Sequence, residues 1–205
     1  MLKNLLTSIV RNVSGALGGP TSLNGAVNTA ITKATSAPLN KDKTFTFQAL
    51  PMDVDDIKAM PEADLKDMYA VAALSLLALT RYETDREACF RMLDFLKGPD
   101  PMNPSEKQTI NDRFMDGKYY KVKSFFEGAT PANSYTPAQP YKVKVSSNPY
   151  SFQNQGWATL YLHSGGADNP RPVRLRLKPS TGQWFLVEIQ YLGDIRIPAA
   201  EDKWK

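Results

Sequence analysis

The spacing of apolar and polar positions changes its period several times along this chain. From residue 2 to 17 the apolar side chains Leu2, Leu5, Leu6, Ile9, Val10, Val13, Ala16 and Leu17 recur at intervals of three and four. That is the repeat of a one-faced helix, and Gly18-Gly19-Pro20 stops it. A weaker repeat of the same kind runs through Leu23, Ala26, Val27, Ala30, Ile31 and Ala34 and ends before Pro38. Both pieces are rich in small and polar residues, so each buries little area alone and needs a host surface, in this chain or another. Lys43 to Leu50 then alternates in steps of two and predicts a short strand.

Helical spacing returns after that strand. Asp53, Asp55 and Asp56 sit where carboxylates accept backbone N–H groups at the start of a short helical turn. Glu62 to Leu79 predicts a long helix, apolar almost all round past Tyr69 and therefore central to the core. Thr84 and Glu87 have capping-box spacing for a helix through Cys89, Met92 and Leu96 to Gly98-Pro99. Asn103-Pro104-Ser105-Glu106 opens another helix, through Ile110 and Phe114 to near Gly117. Tyr119 to Phe126 alternates imperfectly; strand is the preferred reading and helix the alternative.

Two-residue alternation dominates the rest, predicting strands at Tyr141–Val145, Trp157–His163, Val173–Leu177 and Trp184–Tyr191. Gly165 to Pro170 and Pro179 to Gly182 supply the reversals. The order predicts an α+β fold. A helical layer over about residues 62–116 packs on a carboxy-terminal antiparallel meander, with residues 1–40 as an amino-terminal helical arm and 41–205 as a single domain. Pairing in sequence order would bring Trp157, Tyr161, His163, Arg174, Arg176 and Trp184 onto one sheet face. Arginine and aromatic side chains together are the composition of binding hot spots. Two simpler accounts stand beside this one: Glu188 neutralises an arginine across the hairpin, or the amino-terminal helices cover the face.

Composition narrows the picture. With 205 residues, 42% hydrophobic and 22% charged, the chain has the make-up of an ordinary globular protein. The net charge of +4 is unevenly spread. Residues 1–50 carry five Lys/Arg against one Asp, while residues 51–100 carry six against eleven acidic groups. Basic charge does not dominate any domain, which argues against nucleic acid. The single cysteine, Cys89, excludes an intrachain disulfide and favours a reducing, cytoplasmic compartment. Met1 to Leu6 lacks the h-region and cleavage site of a secretory leader. The longest mainly apolar run, Met68 to Leu79, is too short for a bilayer. Peripheral attachment by helix 2–17 has only Lys3 and Arg11 as basic support.

Catalytic signatures are missing. There is no glycine-rich phosphate loop, nucleophile elbow or zinc-protease helix, and His163 is the one histidine. Cys89 reads as a buried, inert thiol. Asp53-Val54-Asp55-Asp56 resembles the start of a calcium loop, but Lys58 stands where glycine is required and Asp64 where glutamate belongs. No catalytic residue, metal site or cofactor is expected.

The runs Phe125–Pro131, Tyr135-Thr136-Pro137, Asn148–Ser151, Gly165–Pro172 and Gly182–Leu186 are similar to an uncharacterised bacterial family, a domain of unknown function. The resemblance spans roughly Ala63 to Pro198 and implies no activity or cofactor. The expectation from the residues is thus a non-enzymatic protein-binding or assembly module. Its docking arm would bury Leu5, Ile9 and Val13 against a protein partner or a second copy. The alternative is a small-molecule-binding protein or enzyme with a pocket between the helices and a curved sheet.

Overall fold

In the computed structural model the described residues are 41–204; the proposed arm, with Leu5, Ile9 and Val13, lies outside them. Five strands form one antiparallel sheet in chain order: β1 (Lys41–Phe47), β2 (Tyr141–Ser147), β3 (Trp157–Leu162), β4 (Arg171–Lys178) and β5 (Gln183–Ile189). Between β1 and β2 the chain forms five α-helices: α1 (Val54–Lys58), α2 (Met68–Thr80), α3 (Arg86–Lys97), α4 (Pro104–Phe114) and α5 (Tyr120–Lys123). The fold is α+β, as the order of periods requires.

α2 forms the centre of the core. Every residue from Tyr69 to Leu79 is buried, and the helix contacts all five strands as well as α3. Its polar groups are satisfied inside. The Ser75 hydroxyl donates to the Ala72 carbonyl at 2.7 Å and lies 3.0 Å from the Tyr191 hydroxyl, and the Tyr69 hydroxyl donates to Ser147 Oγ at 2.8 Å. Burying each of its leucines stabilises the fold by about 1.5–3 kcal/mol.

Three local readings are corrected. The helix expected to begin at Glu62 is broken. Pro61–Asp64 is a 3-10 turn, Leu65 takes a left-handed φ of 61°, and α2 starts only after Asp67, whose carboxylate accepts from the Tyr69 N–H. The break is used: the Leu65 carbonyl accepts from the Trp184 N–H at 2.7 Å and so occupies the free edge of β5. The cap of α3 is Asp85, which accepts from Ala88, rather than Thr84. Within residues 119–126 one helical turn, Tyr120–Lys123, replaces the expected strand, with Tyr120 stacked on buried Tyr135 and Phe125 edge-on against buried Tyr191; Phe126 makes a strand-like bridge to Val143. The Asn103–Glu106 capping box is present on both sides.

The edge of β5 is further fastened by Lys97. Its side chain is buried, and Nζ reaches Glu106 Oε1 at 2.8 Å and the Val187 carbonyl at 3.1 Å. Gly98, at φ +61°, ends α3 directly against Phe185; a Cβ there would lie 2.2 Å from that ring.

Candidate functional site

Directly opposed residues in an antiparallel pair share a face. β3 and β4 pair Trp157 with Arg176, Thr159 with Arg174 and Tyr161 with Pro172, so these side chains lie on the sheet's outer face, away from α2. The two arginines approach the same ring: their guanidinium carbons stand 5.2 Å (Arg174) and 5.1 Å (Arg176) from the Trp157 centroid. Both distances are within cation–π range. Arg174 is also 3.4 Å from Glu188 across the β4–β5 hairpin, the neutralisation that alternation allows. Arg176 and Lys178 are exposed, and neither has a carboxylate within ion-pair distance among the described residues.

Trp184 does not join this group. The β4–β5 register shifts between Arg174 and Leu175: Arg174 opposes Glu188, but Leu175 opposes Leu186, leaving Val187 extra on β5. That bulge reverses the phase of the strand's first half. Leu186 is therefore buried in the core, Trp184 opposes Leu177 on that same side of the sheet, and Phe185 opposes Arg176 on the outer side, with both rings also packed against the margin of the core. Strict alternation cannot count an inserted residue, so sequence reasoning missed Phe185. The contacts that accompany the shift are visible: Lys97 holds the Val187 carbonyl and Leu65 holds the Trp184 N–H.

His163 is six residues from Trp157 along the strand direction, about 20 Å away at the rise of an extended chain. Its N–H donates to the Lys144 carbonyl at 3.1 Å, and Nε2 lies 2.9 Å from Ser146 Oγ. Burial, and then the nearby Lys144 ammonium, hold its pKa below the ordinary imidazole value; Asp42 opposes them. Tyr161 sits between the two ends, opposite Ser146 on β2. The six residues expected to form one surface thus divide into a Trp157–Arg174–Arg176 group, a His163 end, Tyr161 between them, and Trp184 on the other side.

Each end of the outer face borders a cavity. Beside Trp157, a cavity of about 370 Å³ is lined by Trp157, Arg176, Lys178 and Phe185, together with Pro99 and Asp100 from the turn after α3. At the His163 end, about 460 Å³ is enclosed by Thr44, Lys144 and His163 from the sheet and by residues 125–130 and 164–165. Neither was legible in one dimension, since the walls come from segments far apart in sequence.

Little of this is reactive chemistry. No group of three or more His, Cys, Asp or Glu side chains among the described residues is placed to hold a metal ion. Burial pushes the Cys89 thiol far above its ordinary range, so it has little thiolate character. Asp53, lowered by its hydrogen bond from Arg91, caps α1 rather than facing either cavity.

A family model described as Domain of unknown function (DUF6935) matches residues 49–199. The chain belongs to this family. The DUF6935 span contains all five helices and strands β2 to β5, while β1, which completes the sheet, lies just before it. It is slightly longer than the resemblance read from the motifs, taking in α1. No curated protein and no solved structure matches the chain. No helix among the described residues is long and apolar enough to cross a membrane.

Proposed function

We propose that this domain is a non-enzymatic protein-binding module, and that the Trp157 end of the outer sheet face receives an acidic segment of a partner. One observation carries the reading: an indole with two guanidiniums within cation–π range, Arg176 being exposed and without a carboxylate, beside a cavity of about 370 Å³. Desolvated arginine and tryptophan are the residues that dominate interface energies, and the uncompensated cations give the surface a preference for carboxylates. The space between α2 and the sheet is filled, and the cavity between α4 and β5, lined by Met102, Ile110, Leu186 and Ile189, is about 190 Å³, smaller than the space beside Trp157.

The partner is a protein or another copy of the chain. Basic and acidic groups are nearly balanced, at 25 and 21, which speaks against nucleic acid. A bacterial cytoplasm is the setting we infer; the unpaired, buried Cys89 supports a reducing compartment. Residues 1–40 would act as an additional docking arm through Leu5, Ile9 and Val13, supported by their helical spacing alone. Small-molecule binding is the second reading. What favours it is the cavity of about 460 Å³ at the His163 end, which offers an ammonium (Lys144), a carboxylate (Glu127) and an imidazole.

Calorimetric titration of the full chain with a synthetic glutamate-rich peptide carrying one phenylalanine tests the leading reading. Binding that weakens with salt is expected. The Arg174→Ala/Arg176→Ala variant should bind about tenfold more weakly or worse while melting within a few degrees of the parent. Equal binding by the variant, or a large loss of melting temperature, would mean that the arginines serve the fold and not a partner.

A further inference from the structure

We infer that the acidic segment captured at the Trp157 end is residues Glu201–Trp204 of a second copy of this chain, so that copies join head to tail. The inference rests on the docking role proposed above and names the occupant. Trp204 is 97% exposed, the most exposed of the large apolar side chains among the described residues. A tryptophan in water leaves an extensive apolar surface uncovered. Its backbone N–H donates to Asp202 Oδ1 at 2.9 Å, which turns the main chain between Asp202 and Trp204, next to Glu201 in sequence. Both acids are exposed and have no ion-pair partner among the described residues.

The acceptor has the matching pattern. Its cavity offers apolar walls from Trp157, Phe185 and Pro99 for an indole. Arg176 and Lys178 supply two cations for the two carboxylates, and Asp100 on the rim supplies one carboxylate for Lys203. Along the donor two acids are followed by Trp204 with Lys203 and Lys205 on either side of it, so the match to the acceptor lies in Glu201 and Asp202 against Arg176 and Lys178 and in Lys203 against Asp100.

The donor cannot reach its own acceptor. It is tethered by the Ala199 N–H to the Pro131 carbonyl at 2.8 Å and turned by the Glu201 N–H to Pro198 at 2.9 Å. The preceding residue Arg196 donates to Gly166, placing the segment at the His163 end of the sheet. Donor and acceptor are different patches, so the contact is heterologous and builds rings or open chains rather than a two-fold dimer. An interface of one short segment is small, and association in the micromolar to millimolar range follows.

Light scattering on the full chain over that concentration range gives the test. The wild type should gain mass with concentration, and Trp204→Ala, whose site is solvent-exposed and outside the core, should remain monomeric. Arg176→Glu/Lys178→Glu and Glu201→Lys/Asp202→Lys should each abolish association, and the four changes together in one chain should restore it. A wild type that stays monomeric overturns the inference, as does association that survives Trp204→Ala, which would place the contact elsewhere. If the glutamate-rich peptide still binds the Trp157 end of a monomeric wild type, the docking role stands and only the choice of a second copy falls.

Discussion

The two faces of the sheet are made by the same strands, residue by residue in alternation, yet they are held in different ways. On the inner face Val143, Val145, Leu160, Leu162, Val173 and Leu175 are fully buried against α2, and the loss of any one leaves a hole. On the outer face the ordering forces are ion pairs and ring contacts: Lys144 with Asp42 at 2.7 Å, Arg174 with Glu188, and two guanidiniums over Trp157. Half-exposed ion pairs contribute little to stability. The inner face therefore sets whether the domain folds, and substitutions on the outer face cost the fold little.

The sharpest break of that contrast is at α2. Leu76→Ala should lower unfolding free energy by about 2–5 kcal/mol, measured by urea denaturation; alanine keeps the helix propensity, so the loss reports burial. Gly98→Ala, at the edge where the faces meet, should cost about 1–3 kcal/mol by crowding Phe185 and straining a left-handed φ. Arg174→Ala should change stability by less than about 1 kcal/mol in the same assay. A loss as large as that of Leu76→Ala would erase the distinction between the faces.

The smallest expected effect is a pH dependence from His163. Its folded pKa lies below the ordinary value near 6.5, so the unfolded chain binds the proton more readily. The stability it contributes is full above the unfolded pKa and is lost as pH falls from there toward the folded pKa. His163→Gln should remove that component of the pH–stability curve between those limits and leave the neutral-pH value nearly unchanged.

Elements with a strong local signal are legible in the amino-acid order alone. α2 declares itself by an apolar run with no polar stripe, α4 by Asn103-Pro104 and Glu106, and β3 and β4 by strict alternation. The errors fall where distant contacts decide. Tyr120–Lys123 forms a helical turn rather than strand where Tyr135 and Tyr191, from elsewhere in the chain, receive Tyr120 and Phe125. The β5 bulge is accompanied by bonds to Lys97 and Leu65, contacts 90 and 119 residues away in sequence, and it moves Trp184 inward and Phe185 outward. Trp157, Arg174 and Arg176 stay together because the β3–β4 register that pairs them is unbroken.

Amide and indole chemical-shift mapping of the full chain with the glutamate-rich peptide shows where on the sheet an acidic segment docks. Docking at the Trp157 end gives the largest shifts at the Trp157 indole N–H and the amides of Arg174, Arg176 and Phe185, with the Leu162–Gly165 stretch nearly unchanged. Shifts concentrated around His163 and Lys144 instead, or no shift at the Trp157 indole, would contradict it.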